Sequence, residues 1–450
     1  MLVNFRFGNY LSYHDMAEFS MVVGNAKKHS EHVMKFEDIS LLKFAAIYGA
    51  NAAGKSNLVK AIKFSRNLVI RGFRNMVTSD KYCRIYPSNE EELTNFEYEI
   101  AIDGTVYSYG FSVNLFEKTV YREWLYSLSN NQEIEIFTRE LKDNRYRINI
   151  NYNFLGLSQK EQDRLDVYKE DSKELTESLF ITELNKNKKP FLGKNDFSIF
   201  NLIYEWFERK LVVISPDKSP ADNGISNMRE DNGISLANFL YSFGTGIKEV
   251  CTKEVYEKDL YNEMPSRIAK KILEDIRKDA PDSIPIMLRT PQNIYEIEKQ
   301  EEHLKIQAVY FKHLSESGFY SLGEESDGTV RLVELYDILA NDNEKVFVID
   351  EIDRSLHPNL TYKFIEAYLT KNNNGQLIAT THEDRLLDLN MLRRDEIWFV
   401  EKQEKGESAL YSLEKFKTRF DQNILKAYLE GRYGSIPQFK LFQNVESREQ

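Results

Sequence analysis

Eight residues near the start of the chain, Gly49 to Ser56, read GANAAGKS and fit the pattern G-x-x-x-x-G-K-[ST]. Residues of these types at this spacing handle phosphate. Gly49 and Gly54 let the backbone turn sharply and come close to a ligand. The backbone N–H groups of Asn51, Ala52, Ala53, Gly54, Lys55 and Ser56 are expected to point inward at a helix start, where the helix dipole favours an anion. Ala50 and Asn57 complete the same cradle. Lys55 supplies a positive charge for the β- and γ-phosphates of a nucleotide, and the Ser56 hydroxyl can ligate Mg2+. A second signal lies far along the chain, where Val346 to Glu351 read VFVIDE. A buried strand ending in Asp350 would deliver that carboxylate to the cation beside Ser56. Glu351, on the opposite side of the pleat at the exposed strand end, would polarise an attacking water as a general base. The third signal is QLIATTHE, Gln376 to Glu383, an apolar strand ending in Thr381 and His382. A histidine there can hydrogen-bond a γ-phosphate. Taken singly these are a glycine turn, an acidic strand end and a capping histidine; together they describe one site.

A further anion site precedes the acidic strand. Ser321 to Leu339 read SLGEESDGTVRLVELYDIL. Ser326 and Gly328 lead into a helix with Leu332, Leu335, Ile338 and Leu339 on one face; the plainer alternative is an ordinary helix N-cap with Asp327. A serine and a glycine at a helix N-terminus can again hold an anion. This pair comes too late to belong to the first loop. In a head-to-tail dimer it would close over the γ-phosphate held by the other subunit. After the acidic strand, Asp353 starts a turn and Pro358 opens another helix.

These residues need strands and helices to hold them. LLKFAAIYG reads as a buried strand before the glycine loop. After the loop, Leu58, Ile62 and Val69 fall on one helical face. The first 40 residues hold two alternating stretches. Phe96 to Ile150 alternates repeatedly, with Asp103-Gly104 as a hairpin turn, so an antiparallel sheet is expected there. From Ser158 the chain turns charged and helical in period. Trp206 to Ile214 reads as strand or helix, and Ser215 to Gly224 as a loop. Gly233 to Val250, and on to Lys278, reads helical. Strands return from Gln307. The expected fold class is α/β: a P-loop core with an antiparallel β-subdomain and a mostly helical insertion. The expected blocks are 1–154 for the first part of the core, 155–300 for the insertion, 301–402 for the rest of the core and 403–450 for a C-terminal extension.

Composition narrows the class. At 450 residues, 42% hydrophobic and 13% aromatic, two or three packed units are expected. Charged residues make up 29%, and the mean hydropathy is −0.52. No apolar run is long enough for a membrane span, and the start lacks a signal-peptide layout. Cys83 and Cys251 are far apart and without metal-ligand spacing, which suits a reducing cytoplasm and argues against disulfides or structural zinc. The net charge of −11 does not advertise nucleic-acid binding. One local basic stretch holds Lys60, Lys63, Arg66, Arg71, Arg74, Lys81 and Arg84. A smaller one runs from Asn185 to Lys194. Both read first as solvated faces.

The motif set resembles the ABC/SMC-type heads of AAA-like ATPases, the group that includes Rad50, RecF and the OLD proteins. GANAAGKSNL is similar to that group's G-x-N-x-x-G-K-S-N form. ESDGTVRL, Glu325 to Leu332, resembles the signature motif, VFVIDEID resembles Walker B running into the D-loop at Asp353, and His382 resembles the switch histidine. The sequence departs from the pattern at Asp327, where a second glycine is usual, and at Thr329, where Gln or Glu is usual. Gln132 is a weak fit for the Q-loop. The turn EIDRSLHP and the C-terminal AYLEGRYGSIP, Ala427 to Pro437, look most like stand-alone ATPases of prokaryotic abortive-infection and anti-phage systems. The resemblance implies ATP and Mg2+ as cofactors, a homo-oligomer of paired heads, and a cytoplasmic protein without a membrane anchor. It implies ATP-dependent engagement of heads that controls a separate effector, a nuclease or toxin, because the stretch after His382 is too short for a fused nuclease. A phage protein as trigger and DNA as a ligand stay open. So do a RecF- or SMC-like role in DNA repair and a role in regulated assembly or transport.

Overall fold

The computed structural model describes residues 1–129, 132–186, 198–216, 231, 233–280, 282, 285–301, 303–314, 317–340, 344–371, 374–416 and 424–433. The basic stretch beyond Lys186, the loop from 217 to 224 and the segment 434–437 lie outside the described residues. The chain forms two compact units. The first comprises Met1–Val213, Glu344–Asp350 and Asn374–Gln450; the second comprises Ile214–Asn343 and Glu351–Asn373. Among the described residues, no helix is long and apolar enough to cross a membrane.

Among the described residues, nineteen strands are numbered in chain order. They open with β1 (Leu2–Gly8), β2 (Ala17–Ser20), β3 (Val33–Phe36), β4 (Ile39–Leu42) and β5 (Phe44–Tyr48). An antiparallel run follows: β6 (Thr94–Ile102), β7 (Thr105–Asn114), β8 (Thr119–Ser129), β9 (Gln132–Lys142) and β10 (Arg145–Ile150). Then come β11 (Leu211–Ile214), β12 (Ile247–Glu254), β13 (Pro285–Arg289), β14 (Ile294–Gln300) and β15 (His303–His313). The last four are β16 (Val346–Ile349), β17 (Gln376–Thr380), β18 (Ile397–Lys402) and β19 (Ser408–Ser412).

In the first unit, a seven-stranded sheet runs β10-β9-β8-β7-β6-β1-β2 and a six-stranded sheet runs β11-β16-β17-β5-β18-β19. β5 is parallel to both β17 and β18, and it is buried at every position. A strand buried on both faces needs an unbroken apolar run, which FAAIY supplies. The β6–β7 turn is the expected hairpin: Asp103 and Gly104 have φ of 45° and 81°, the paired positive values of a type I′ turn. The helix Lys55–Arg71 buries Leu58, Ile62, Leu68 and Val69 in the same core as Phe5, Phe7 and Tyr98 of the large sheet. Under that sheet, Glu123 is fully buried and accepts from the N–H groups of Phe180 and Ile181 at 2.6 and 3.1 Å. Its ion partner Arg139 stands 3.6 Å away, also buried, and donates to the carbonyls of Ser172, Leu175 and Ser178. Burial pushes the Glu123 carboxyl above its ordinary range, against the pull of Arg139.

The second unit is built on a four-stranded antiparallel sheet, β12-β15-β14-β13. Tyr295, Ile297, Ile306 and Ala308 face the helices Glu257–Glu263 and Ser266–Asp279. The alternate residues Ile294, Val309 and Phe311 face the helices Ile234–Ser242 and Asp327–Ala340. This sheet corrects the helical reading of the segment around Val250. Ile247 and Val250 are its buried residues, and a bulge between Ile247 and Glu249 sets them three apart, mimicking helical spacing. The insertion thus carries strands β12, β13 and β14 of this sheet beside its helices. Residues before Ile214 belong to the first unit instead, because Leu165, Phe180, Phe200 and Phe207 complete its core.

Candidate functional site

The glycine loop joins the buried end of β5 to the helix Lys55–Arg71. Two walls fix its path. A Cβ on Gly49 would lie 2.4 Å from the Val400 carbonyl oxygen of β18, a backbone atom that cannot yield. A Cβ on Gly54 would lie 2.2 Å from Ser408 Oγ, and Gly54 has φ of 119°. Ala52 also has positive φ, at 62°. Lys55 is buried and its ammonium donates to the carbonyls of Gly49 and Ala50 at 2.6 and 3.3 Å, spanning the loop. Asn51 and Ala52 are exposed at its tip. The expectation that every N–H from Asn51 to Ser56 points inward fails at Ala53, which donates to the Ala50 carbonyl.

Asp350 stands at the loop's mouth. β16 ends at Ile349, and the Asp350 carboxylate, 5% exposed, accepts from Ser56 Oγ at 3.1 Å and from Thr380 Oγ1 at 2.6 Å. Two hydroxyls on one carboxylate, one from the loop and one from the end of β17, make an oxygen-rich corner suited to a hard divalent cation. The cradle that a Cβ would fill and this corner together fit a nucleoside triphosphate with Mg2+. Thr380 was not singled out from the sequence, although it sits in the TTHE run that was. Thr381 donates from its N–H to the Ile47 carbonyl of β5, which locks the end of β17 beside the loop. His382 is exposed, and burial pushes the nearby Asp384 carboxyl above its ordinary range.

Two serines missed in the sequence clasp the loop. Ser12, between β1 and β2, accepts from Asn57 Nδ2 at 2.8 Å, and the hydroxyls of Ser12 and Ser408 of β19 share a hydrogen bond at 2.7 Å. Ser408 also bonds the Ala53 carbonyl, and Tyr13 donates to the Gly54 carbonyl at 3.2 Å. The C-terminal AYLEGRY run packs on the neighbouring strand, β18. The rings of Tyr428 and Tyr433 lie 5.7 and 5.4 Å from that of Phe399 in β18. Burial, with the charge of Asp384, pushes the Tyr428 hydroxyl up to about 12. In the basic stretch, Arg66 is committed to the carbonyls of Leu211 and Glu208 at 2.7 and 2.8 Å.

The signature-like segment and the turn at Asp353 meet in the second unit. Ser326 precedes the helix Asp327–Ala340, and its Oγ accepts from the Thr329 N–H at 3.1 Å. Ser326 is therefore the capping residue, and the alternative of a cap by Asp327 falls away. A Cβ on Gly328 would come within 3.1 Å of the Ser355 carbonyl, so the glycine lets the helix start lie against the turn opened by Asp353. Arg331, buried, donates to the Glu351 carbonyl at 2.8 Å and to Glu334 at 2.9 Å, while Arg289 donates to Glu334 at 3.0 Å. Glu351 itself has φ of 53°. The chain has left the extended conformation there, so the expected placement across the strand's pleat is wrong. A left-handed residue held by an arginine aims Glu351 instead. Gln132 lies exposed at the β8–β9 hairpin end.

A strand–loop–helix with a spanning lysine, and a strand-end carboxylate on the loop's serine, defines a P-loop nucleotide-binding domain of α/β fold. The sequence model of the family described as "AAA domain, putative AbiEii toxin, Type IV TA system" matches residues 44–231 and 252–388. The chain belongs to that family. No curated protein matches it. Among solved structures it is similar to an SMC head bound to the C-terminal winged-helix domain of ScpA, at 12% identity and a TM-score of 0.40, over 91% of this chain and 97% of that one. The SMC head domain from Thermotoga maritima gives 12% identity and 0.35 over 91% and 98%. An SMC head with an extended coiled coil, bound to the C-terminal domain of ScpA from Pyrococcus furiosus, gives 15% and 0.34 over 96% and 99%.

Proposed function

We propose that the chain binds ATP with Mg2+ and hydrolyses it, and that the cycle switches paired copies between engaged and separate states that control a separate effector in anti-phage defence. The observation that carries this reading is the Asp350 carboxylate held by the hydroxyls of Ser56 and Thr380 at the mouth of the glycine loop. Gly49 to Asn57 would wrap the triphosphate, with Lys55 as the fixed positive charge. Ser56 and Asp350 would hold the cation, which supplies charge neutralisation on the phosphate oxygens. Glu351 accepts the proton of the attacking water as the γ-phosphate parts from ADP. Its backbone is held by Arg331, which ties the base to the signature helix. Ser326, Gly328 and Asp353 supply the face offered to the nucleotide of a second copy, and His382 contacts the γ-phosphate. The toxin named in the family description supports the defence setting and a nuclease or toxin as the controlled partner. Against a DNA-maintenance role stands Arg66, whose donors are committed inside its own unit.

The test is the mass of Glu351→Gln in solution, with and without Mg-ATP, by light scattering. ATP should raise the mass, because the variant binds but does not turn over. Lys55→Ala should show no rise, having lost the charge that meets the phosphates. A Glu351→Gln protein that stays monomeric in saturating Mg-ATP would refute paired engagement. Tight DNA binding that weakens steeply with salt would instead favour the DNA-maintenance role.

A further inference from the structure

The segment between β2 and β3 holds chemistry that the phosphate loop does not use. His29, Glu31 and His32 surround one 3-10 turn, Ser30–His32, and one ligating atom from each lies within 4.8 Å of the other two. His29 has φ of 56°. Its ring stacks on that of His32, with centroids 4.9 Å apart and planes 13° from parallel. Nδ1 of His29 lies 3.2 Å from Glu31 Oε1, and Nε2 of His32 lies 3.8 Å from the same oxygen.

The remaining ring nitrogens are already spoken for. His29 Nε2 lies 3.2 Å from the Leu389 carbonyl, which can only accept, so this nitrogen carries a proton. His32 Nδ1 lies 3.0 Å from a carboxylate oxygen of Glu396, which is fully buried. His29 Nδ1 and His32 Nε2 thus both lie beside the same Glu31 oxygen. Two ring nitrogens and one carboxylate oxygen therefore gather within 4.8 Å of one another.

We propose that His29 Nδ1, His32 Nε2 and a Glu31 carboxylate oxygen bind a divalent cation of the zinc class, with water at the fourth position. Two imidazoles and one carboxylate suit zinc rather than magnesium or calcium. Ligands of a tetrahedral zinc at about 2.0–2.1 Å stand about 3.3 Å apart, close to the 3.2 and 3.8 Å separations found here. Glu396 behind His32 is the outer carboxylate that orients a metal-bound imidazole. The cysteines carry no zinc pattern, and this site uses HSEH instead. Glu396 leads directly into β18, the neighbour of β5, so the ion would tie the turn to the strand beside the phosphate loop. Lys43 is the competing cation: burial pushes its ammonium below the ordinary range, and Glu31 opposes that.

The full chain, stripped with chelator and free of nucleotide, is titrated with zinc chloride by calorimetry and with cobalt(II) by visible absorption. One ion per chain and the intense bands of tetrahedral cobalt are expected. His29→Ala and Glu31→Gln should each weaken zinc binding by more than about 100-fold, and Glu396→Gln by about 10–100-fold. The side chains of His29 and Glu31 are 18% and 59% exposed, so both variants should fold, as tryptophan fluorescence would verify. Ser56→Ala should bind zinc as the wild type does, which separates this site from the phosphate loop and leaves the ATPase reading independent of the outcome. Absence of binding, or His29→Ala and Glu31→Gln binding as tightly as wild type, would overturn the proposal. Loss of zinc in Ser56→Ala alone would overturn it too.

Discussion

At Gly54, backbone demand and side-chain crowding coincide, and a pair of substitutions can separate them. Its φ of 119° lies where a residue with a Cβ is strained by about 1–3 kcal/mol. A Cβ there would also stand 2.2 Å from Ser408 Oγ and 2.9 Å from Ser408 Cβ, an overlap that costs about 1–3 kcal/mol. Gly54→Ala should therefore destabilise by about 2–6 kcal/mol in all. Ser408→Gly removes both obstructing atoms. By itself it loses the hydroxyl's bonds to Ser12 and Ala53, about 0.5–1.5 kcal/mol each. In the double variant the overlap with Ser408 vanishes, and the strain and the milder approach of Ser12 Oγ at 3.0 Å remain, so the two changes should couple favourably by about 1–3 kcal/mol. The assay is urea unfolding followed by tryptophan fluorescence. Trp124, Trp206 and Trp398 all lie in the first unit, so the signal follows the unit that carries the loop. A coupling within about 0.5 kcal/mol of zero would show that φ alone demands the glycine and would refute the clasp. Gly49→Ala offers the contrast. Its obstruction is the Val400 carbonyl, so Ser408→Gly should not rescue it.

Arg331→Met should lower ATP turnover while leaving nucleotide affinity unchanged, since Arg331 holds the backbone of Glu351. Glu334 keeps Arg289 at 3.0 Å, so the stability loss should stay near the about 1.5–3 kcal/mol of charged hydrogen bonds; unchanged steady-state hydrolysis would sink the positioning role. Glu123→Gln tests the buried pair by pH. Burial raises the Glu123 carboxyl, so its contribution is fully present below the unfolded value of about 4.3 and is lost as pH rises through the raised folded value. The stability of wild type minus Glu123→Gln, read by the same fluorescence, should therefore fall as pH climbs from the ordinary carboxylate range; a flat difference would contradict it.

Much of the site was legible because its chemistry is local. GANAAGKS needs only the strand before it and the helix after it, and both were plain from apolar runs. VFVIDE announced Asp350 the same way. What stayed hidden depended on distant partners. Ser12 and Ser408 meet 396 positions apart, and His32 meets Glu396 across 364; no periodicity encodes such meetings. The aim of Glu351 was hidden for another reason. A single left-handed residue breaks the pleat rule, and the arginine that secures it sits 20 positions upstream. The strand at Ile247–Glu254 was lost because its bulge spaces buried residues as a helix would.

The position of β5 between β17 and β18 also sets a timetable. The glycine loop is made long before the strands that flank β5, Gln376–Thr380 and Ile397–Lys402. At about 5–20 residues per second, the intervening roughly 350 residues take about 20–70 s to translate. Until then the loop has no carboxylate at its mouth, no Val400 wall and no Ser408 clasp. Nucleotide competence therefore waits on strands made long after the loop itself.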